Sequence, residues 1–197
     1  MNFLSNKTLW QKIAILNVII FSLFGFFRAN AAEVAIQLHS GTEENAIGHS
    51  LIYSDTFTTN RTYRWGVAYT YINQLKATWN DQQTFFDNNN IDIYAGYRLF
   101  PKSYNSFWRP FSFEAQVGAS LSLTENKFTF EDFPDQEIVF SEKNDINFMV
   151  NFLTQYQLTK QTKIQIGFKH YPSFSNFDSQ SSVYLGLSYQ FGKKYGY

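Results

Sequence analysis

Residues 111–123 read FSFEAQVGASLSL, and an apolar side chain stands at every odd position of this stretch. Small or polar side chains fill the even positions between them. Successive side chains of a β-strand point to opposite faces, so a period of two residues is typical of a strand and not of a helix. The stretch therefore predicts a β-strand with one apolar face and one polar face.

The same alternation recurs along most of the chain after residue 60. It is found in residues 62–71, 91–99, 146–158, 164–168 and 183–191. Two weaker strands are predicted near residues 34–40 and 47–54. The tally is about eight strands, and a period of two dominates from residue 32 onward.

A soluble β-sandwich also alternates, so other features must decide between water and membrane. Several of these segments can extend to ten or more residues, the length that a tilted strand needs to cross a bilayer. Aromatic residues that would form interfacial girdles lie near predicted strand ends, and they are Trp65, Trp108, Phe111, Tyr156 and Tyr189.

The connections alternate in length as well. Short links at residues 56–61, 101–106 and 159–161 alternate with longer ones at 73–90, 124–144 and 172–181, although the first loop, residues 41–45, is short. Short turns on one side and longer loops on the other are typical of outer-membrane barrels. We therefore expect an all-β fold, an antiparallel up-and-down transmembrane β-barrel of about eight strands.

The amino-acid composition limits the functions that the chain can have. Lys plus Arg and Asp plus Glu each number 16, so net charge gives no indication of nucleic-acid binding. Aromatic residues make up 20% of the chain and charged residues 16%, which suits strands with one lipid-facing side. The chain has no cysteine, which excludes disulfides, thiol catalysis and thiolate metal sites. We expect no cofactor and no metal site.

The N-terminus indicates export. Lys7 and Lys12 precede an apolar run at residues 13–27, and Ala29-Asn30-Ala31 places small residues where a signal peptidase cleaves. We expect a cleaved signal peptide at residues 1–31 and a barrel domain at residues 32–197, in the outer membrane of a Gram-negative cell. The alternative is an uncleaved anchor, but the apolar run is short for a spanning helix.

Six charged residues fall on the polar face of the predicted strands, and they are Arg64, Asp92, Arg98, Glu114, Lys163 and Lys169. The interior of an eight-stranded barrel is filled by side chains. Unpaired charges there would be costly, so we expect a buried pairing network and no solute pore.

The three histidines are the first candidates for chemistry. His39 takes the polar phase of its strand, whereas His49 faces lipid if Leu51 and Tyr53 do, and structural roles are expected for both. His170 continues the apolar series of Ile164, Ile166 and Phe168, so it points to lipid at the outer end of the seventh strand. An ionisable group facing hydrocarbon is a candidate functional site.

Residues 164–176, IQIGFKHYPSFSN, resemble the strand that carries the active site in the PagL-type lipid A 3-O-deacylases. His170-Tyr171 match the first half of that family's His-Tyr-Ser-Asn motif, and residues 109–118 are similar to its fifth strand. The family's fold is an eight-stranded outer-membrane barrel, with Ser, His and Glu on the lipid-facing side. The resemblance therefore implies ester hydrolysis on lipopolysaccharide, by a serine that a histidine activates and an acid orients.

The motif departs from the family after the histidine. Pro172 stands where the serine is expected, so the nucleophile is expected at Ser175 or Ser173. The position that resembles the family's acid is near Val183, and the nearest acid is Asp178. Two functions stay open: a divergent lipid A deacylase, or a barrel of the same shape with a structural or surface-binding role. The expected partners are outer-membrane lipids, including lipid A, and the barrel-assembly machinery that recognises a last strand ending in an aromatic residue.

Overall fold

A computed structural model of the chain describes residues 32–41, 46–57, 61–79, 82–102, 107–129, 137–172 and 179–191. The predicted signal peptide, residues 1–31, lies outside this part of the chain. The described residues form ten β-strands: β1 (Glu33–Gly41), β2 (Ile47–Thr56), β3 (Tyr63–Trp79), β4 (Gln82–Leu99), β5 (Phe111–Ser122), β6 (Asn126–Thr129), β7 (Glu137–Ser141), β8 (Ile146–Gln157), β9 (Thr162–Tyr171) and β10 (Gln180–Gln190).

Eight of these strands close into an antiparallel barrel, which confirms the predicted fold class. Their order around the barrel is β1-β10-β9-β8-β5-β4-β3-β2. The seam joins the first strand to the last, with Val34 opposite Tyr189 and Ser40 opposite Val183. Closure leaves no open edge in the barrel sheet. Both weakly predicted N-terminal strands are present, as β1 and β2.

The barrel is apolar on its outer surface and polar in its interior, the reverse of a water-soluble protein. Along β10, Val183, Leu185 and Leu187 are each more than half exposed, whereas Ser182 and Ser188 point inward and are buried. The apolar outer surface and polar interior are those of a barrel in a bilayer. Among the described residues, no helix is long and apolar enough to span a membrane.

The two ends of the barrel differ. One end holds the start of β1, the end of β10 and the connections at residues 57–62, 100–110 and 158–161; we call it the short-turn end. The other end holds the connections at residues 42–46, 80–81, 123–145 and 172–179, and we call it the long-loop end. Trp108, Phe111 and Tyr156 form a continuous aromatic contact at the short-turn end, with ring centroids 5.5 and 5.1 Å apart.

The prediction of a long loop at residues 73–90 was wrong. β3 and β4 continue through most of this segment, and their pairing runs from Leu75 opposite Phe86 to Trp79 opposite Gln82. A β-bulge between Ile72 and Leu75 interrupts the pairing, and Gln74 adopts a positive φ of 53° there. The segment lacks clean alternation, which is why its strands were not predicted; Phe86 packs against the buried pair Ala46 and Ile72 at its base.

The predicted loop at residues 124–144 also contains secondary structure. β6 and β7 pair as a separate two-stranded sheet outside the barrel. The side chain of Asn126 on β6 donates a hydrogen bond of 3.0 Å to the carbonyl oxygen of Asp87 on β4. This small hairpin therefore contacts the base of the β3–β4 ribbon.

The half of the lumen nearest the short-turn end is filled by a charged network centred on Glu33. Its carboxylate lies 3.3 Å from Arg64, 3.2 Å from Arg98 and 2.8 Å from Lys163. Arg98 also lies 2.6 Å from Glu114. The predicted inward charges are thus confirmed as ion pairs, and Glu33 is the partner that the sequence pattern did not reveal.

The other half of the lumen has a second polar network. Lys169 lies 2.9 Å from Asp92, and Thr70 donates a hydrogen bond of 2.9 Å to the same carboxylate. The buried ring of His39 lies between Ser50, at 2.7 Å, and Ser182, at 3.1 Å. His39 is therefore a hydrogen-bonded interior residue, as its phase in the sequence predicted.

Two lumen tyrosines lie across glycines of the neighbouring strand. The Tyr94 ring covers Gly66, and the Tyr184 ring covers Gly167. A Cβ atom at either glycine would overlap the tyrosine ring. Glycine is needed at these two positions because a large side chain takes the space above the backbone.

Candidate functional site

His170 lies on the outward face of β9, one residue before the strand ends at Tyr171. It follows Ile166 and Phe168 on that face, and its side chain is half-buried. The Phe168 ring stacks beside the imidazole, with centroids 6.0 Å apart and planes 15° apart. The structure thus places His170 on the lipid-facing wall at the long-loop end, where the strand phase predicted it.

The residue opposite His170 is Ser181 on β10. Its Oγ atom lies 2.8 Å from Nδ1 of His170. Side chains directly opposite each other on antiparallel strands have Cβ atoms about 5 Å apart, so a short hydroxyl reaches an imidazole without distortion. The two strands therefore form a serine–histidine pair on the outer wall.

This pair has the elements of nucleophilic catalysis. An imidazole nitrogen within hydrogen-bond distance of a serine hydroxyl can take its proton as the hydroxyl attacks a carbonyl carbon. Ser181 is half-buried, and Val183 follows it on the same outward face. An ester at the headgroup boundary with its acyl chain along this wall would lie beside the pair.

Pro172 follows the end of β9 and is exposed. Proline has no backbone N–H to donate to a ladder, so it is suited to the end of a strand. The serine of a His-x-Ser arrangement on one strand is absent here. The hydroxyl beside His170 comes instead from the neighbouring strand.

The other predicted site residues are not placed by the structure. Ser173, Ser175 and Asp178 lie outside the described residues, so their roles stay predictions. Within the described part of the chain, Ser181 is the hydrogen-bond partner of His170. Val183, the position that resembles the family's acid, contributes an exposed apolar side chain.

Sequence reasoning missed Ser181 as a partner of His170. The sequence did contain one indication: residue 181 alternates in step with Val183 and Leu185, so it lies on the same outward face. The pairing register of β9 and β10, which sets Ser181 opposite His170, depends on the loop between the strands and cannot be taken from alternation.

The remaining histidine, His49, is on the outward face of β2 as predicted. Its ring lies 5.5 Å from that of Tyr71, the residue opposite it on β3. Among the residues that the structure describes, no group of three or more His, Cys, Asp or Glu side chains could hold a metal ion.

The fold is shared with solved bacterial proteins. The N-terminal β-barrel domain of Pseudomonas aeruginosa OprF aligns with a TM-score of 0.51 and 10% identity, over 83% of this chain and 98% of that one. Ail, the attachment invasion locus protein of Yersinia pestis, aligns with a TM-score of 0.51 and 13% identity, over 83% and 99%. The chain has the outer-membrane β-barrel fold.

The outer membrane enzyme PagL aligns with a TM-score of 0.47 and 12% identity, over 80% of this chain and 98% of that one. No family model and no curated protein matches the sequence. The eight-stranded outer-membrane barrel that the resemblance implied is present, and OprF and Ail share it; the comparisons do not support membership of the deacylase family.

Proposed function

We propose that this outer-membrane barrel hydrolyses an acyl ester of a lipid in the outer leaflet, with lipopolysaccharide lipid A as the substrate class. The observation that carries the proposal is the 2.8 Å contact between His170 Nδ1 and Ser181 Oγ on the lipid-facing wall. The long-loop end carries the longest connection, residues 123–145, and the β3–β4 ribbon, and the longer loops of outer-membrane barrels are extracellular, so this pair belongs to the outer leaflet.

In the proposed reaction, Ser181 Oγ attacks the ester carbonyl carbon while His170 takes the hydroxyl proton. The tetrahedral intermediate collapses when His170 returns that proton to the departing sugar oxygen, which leaves an acyl-serine. Water then attacks the acyl-serine with His170 again as base, releasing the fatty acid and restoring the serine. Asp178 is the proposed orienting acid, and Ser173 and Ser175 are the alternative nucleophiles.

The test is mass spectrometry of lipid A from a lipopolysaccharide-bearing host that expresses the native protein or a variant. Loss of one acyl chain is expected with the native sequence and not with His170→Ala or Ser181→Ala. Ser182→Ala is the matched control, because Ser182 is the adjacent serine and points into the lumen beside His39. Heat-modifiable electrophoretic mobility of each variant establishes that the barrel is folded.

Ser173→Ala and Ser175→Ala separate the possible nucleophiles. If Ser181→Ala retains full activity and one of these two does not, hydrolysis stands but Ser181 is not the nucleophile. Unchanged lipid A with folded native protein would exclude the hydrolase.

A non-catalytic barrel with a structural or surface-binding role is the second candidate. One observation favours it: His170 and Ser181 already form a hydrogen bond with each other across β9 and β10. A histidine and a serine that satisfy each other's hydrogen bonds at a lipid interface need no catalytic purpose. In either case the last strand, which ends at Gln190 before Phe191, is proposed as the signal for the barrel-assembly machinery.

A further inference from the structure

The chain has no net charge, but its positive and negative residues are concentrated at opposite ends of the barrel. The connections at the short-turn end, residues 57–62, 100–110 and 158–161, contain only positive charges, namely Arg61, Lys102, Arg109 and Lys160. The connections at the long-loop end, together with the β3–β4 ribbon, contain 12 acids and three lysines. The charges that point into the lumen pair with one another, so they do not offset either end.

Three of the positive side chains at the short-turn end are exposed and belong to two different turns. Lys102 follows β4, Arg109 precedes β5, and Lys160 lies between β8 and β9. We call these three residues the cationic rim. The acidic residues nearest this end in the described chain, Glu33 and Asp55, are both buried.

An aromatic belt lies directly next to the cationic rim. Its members are exposed or half-buried on the outer wall and in the adjoining turns, and they are Phe100, Phe107, Trp108, Phe111, Tyr156, Tyr189 and Phe191. Aromatic side chains of barrels lie at the boundary between hydrocarbon and headgroups. Lys102 and Lys160 follow the belt residues Phe100 and Tyr156 as the chain leaves β4 and β8, and Arg109 lies next to Trp108. The rim is therefore beside the belt, at the depth of the headgroups.

We propose that the cationic rim binds anionic phospholipid headgroups of the periplasmic leaflet. Lysine and arginine near an anionic membrane surface are attracted to it. The acid-free turns provide no competing carboxylate, and the aromatic belt fixes the rim at the depth where lipid phosphates lie. The turn of Lys102 and Arg109 lies beside the turn of Lys160, because β5 pairs with β8 and the backbone N–H of Gln157 donates a hydrogen bond of 2.9 Å to the carbonyl oxygen of Pro110. The rim therefore presents its three cations as one patch next to the aromatic belt.

The test compares lipid preference in two double variants with equal loss of charge. Lys102→Gln with Lys160→Gln removes two exposed lysines at the short-turn end. Lys127→Gln with Lys143→Gln removes two at the long-loop end, where both side chains are exposed. The native protein and both variants are folded into phosphatidylcholine vesicles that contain a trace of either spin-labelled phosphatidylglycerol or spin-labelled phosphatidylcholine. The fraction of labelled lipid whose motion the protein restricts gives the relative affinity of the protein for that lipid.

The native protein is expected to prefer phosphatidylglycerol, and salt is expected to weaken that preference. Removing the rim lysines should reduce the preference by about fivefold for each lysine. The long-loop variant should keep it. Equal preference of the native protein for both lipids, or equal loss in both double variants, would overturn the proposal. Binding of the native protein to isolated peptidoglycan that the rim variant lacks, without lipid preference, would point to a wall polymer instead.

Discussion

At the scale of single residues, the stability of this barrel depends on an ion-pair partner for each charge in its interior. The network around Glu33 combines three positive side chains (Arg64, Arg98 and Lys163) with two carboxylates (Glu33 and Glu114). Each member is nearly excluded from solvent, so the loss of one carboxylate leaves positive charges that water does not compensate. A buried pair is therefore more sensitive to the loss of one partner than a surface pair.

Glu114→Gln is expected to lower the free energy of unfolding by about 3 kcal/mol, because Arg98 loses its 2.6 Å partner in a dry interior. Glu125→Gln is the matched control, since Glu125 pairs with Lys127 at 2.8 Å on the exposed surface. That change should cost about 0.5 kcal/mol or less. Urea unfolding in lipid vesicles, followed by tryptophan fluorescence, measures both, and equal effects would contradict the network's role.

The candidate site shows the limit of prediction at the same scale. Alternation alone placed His170 on the lipid face and His39 in the lumen. It could not provide Ser181, because a contact across strands requires the register as well as the face of each residue. Ser173 and Ser175 were expected as partners from the family's motif; they lie outside the described residues, so that expectation stays a prediction.

At the scale of elements, the β3–β4 ribbon and the β6–β7 hairpin are the parts of the fold that the sequence did not predict. β2 stops pairing with β3 at Asn73, and β5 stops pairing with β4 at Asn90. Beyond these positions the two strands of the ribbon pair with each other. Alternation predicts strands with one apolar and one polar face, such as β5 and β8, and gives no signal for a ribbon without that pattern.

Asp87 is expected to hold the base of this ribbon. Its carboxylate accepts hydrogen bonds from Tyr71 Oη at 2.9 Å and from the backbone N–H of Gln74 at 3.3 Å, the residue with positive φ. Asp87→Ala should speed proteolytic cleavage between residues 74 and 87, because the bulge loses its polar anchor, while urea unfolding of the barrel is unchanged. Glu142→Ala, an exposed change in another connection, is the control, and equal cleavage rates in all three proteins would exclude this role.

At the scale of the whole molecule, the filled lumen determines what the barrel cannot do. Glu33 on β1 contacts Arg64 on β3, Arg98 on β4, Gln155 on β8 and Lys163 on β9. Side chains from five strands thus meet across the interior. The sequence predicted this closed interior from strand number and mixed charge, since eight strands leave room only for side chains.

Planar bilayers containing the purified protein are therefore expected to show no stepwise conductance. A larger porin prepared in the same way is the positive control. Discrete openings in the native protein would contradict a lumen closed by the Glu33 network. If openings appear only in Glu114→Gln, the network itself is the barrier to ions.

The seam between β1 and β10 sets the order of events in folding. Glu33 pairs with Gln190, so the contacts that close the barrel join residues at opposite ends of the sheet-forming sequence. Each hairpin forms from strands that are neighbours in sequence. The pairing of β1 with β10 needs the last strand, and it has the largest loop-closure entropy cost of any pairing in the barrel. Until that pairing forms, β1 and β10 both present unpaired backbone groups that hydrocarbon cannot satisfy. Barrel closure is thus a late step that depends on long-range pairing. If assembly stops before β10 has paired, the open sheet has edges that no bilayer can accommodate.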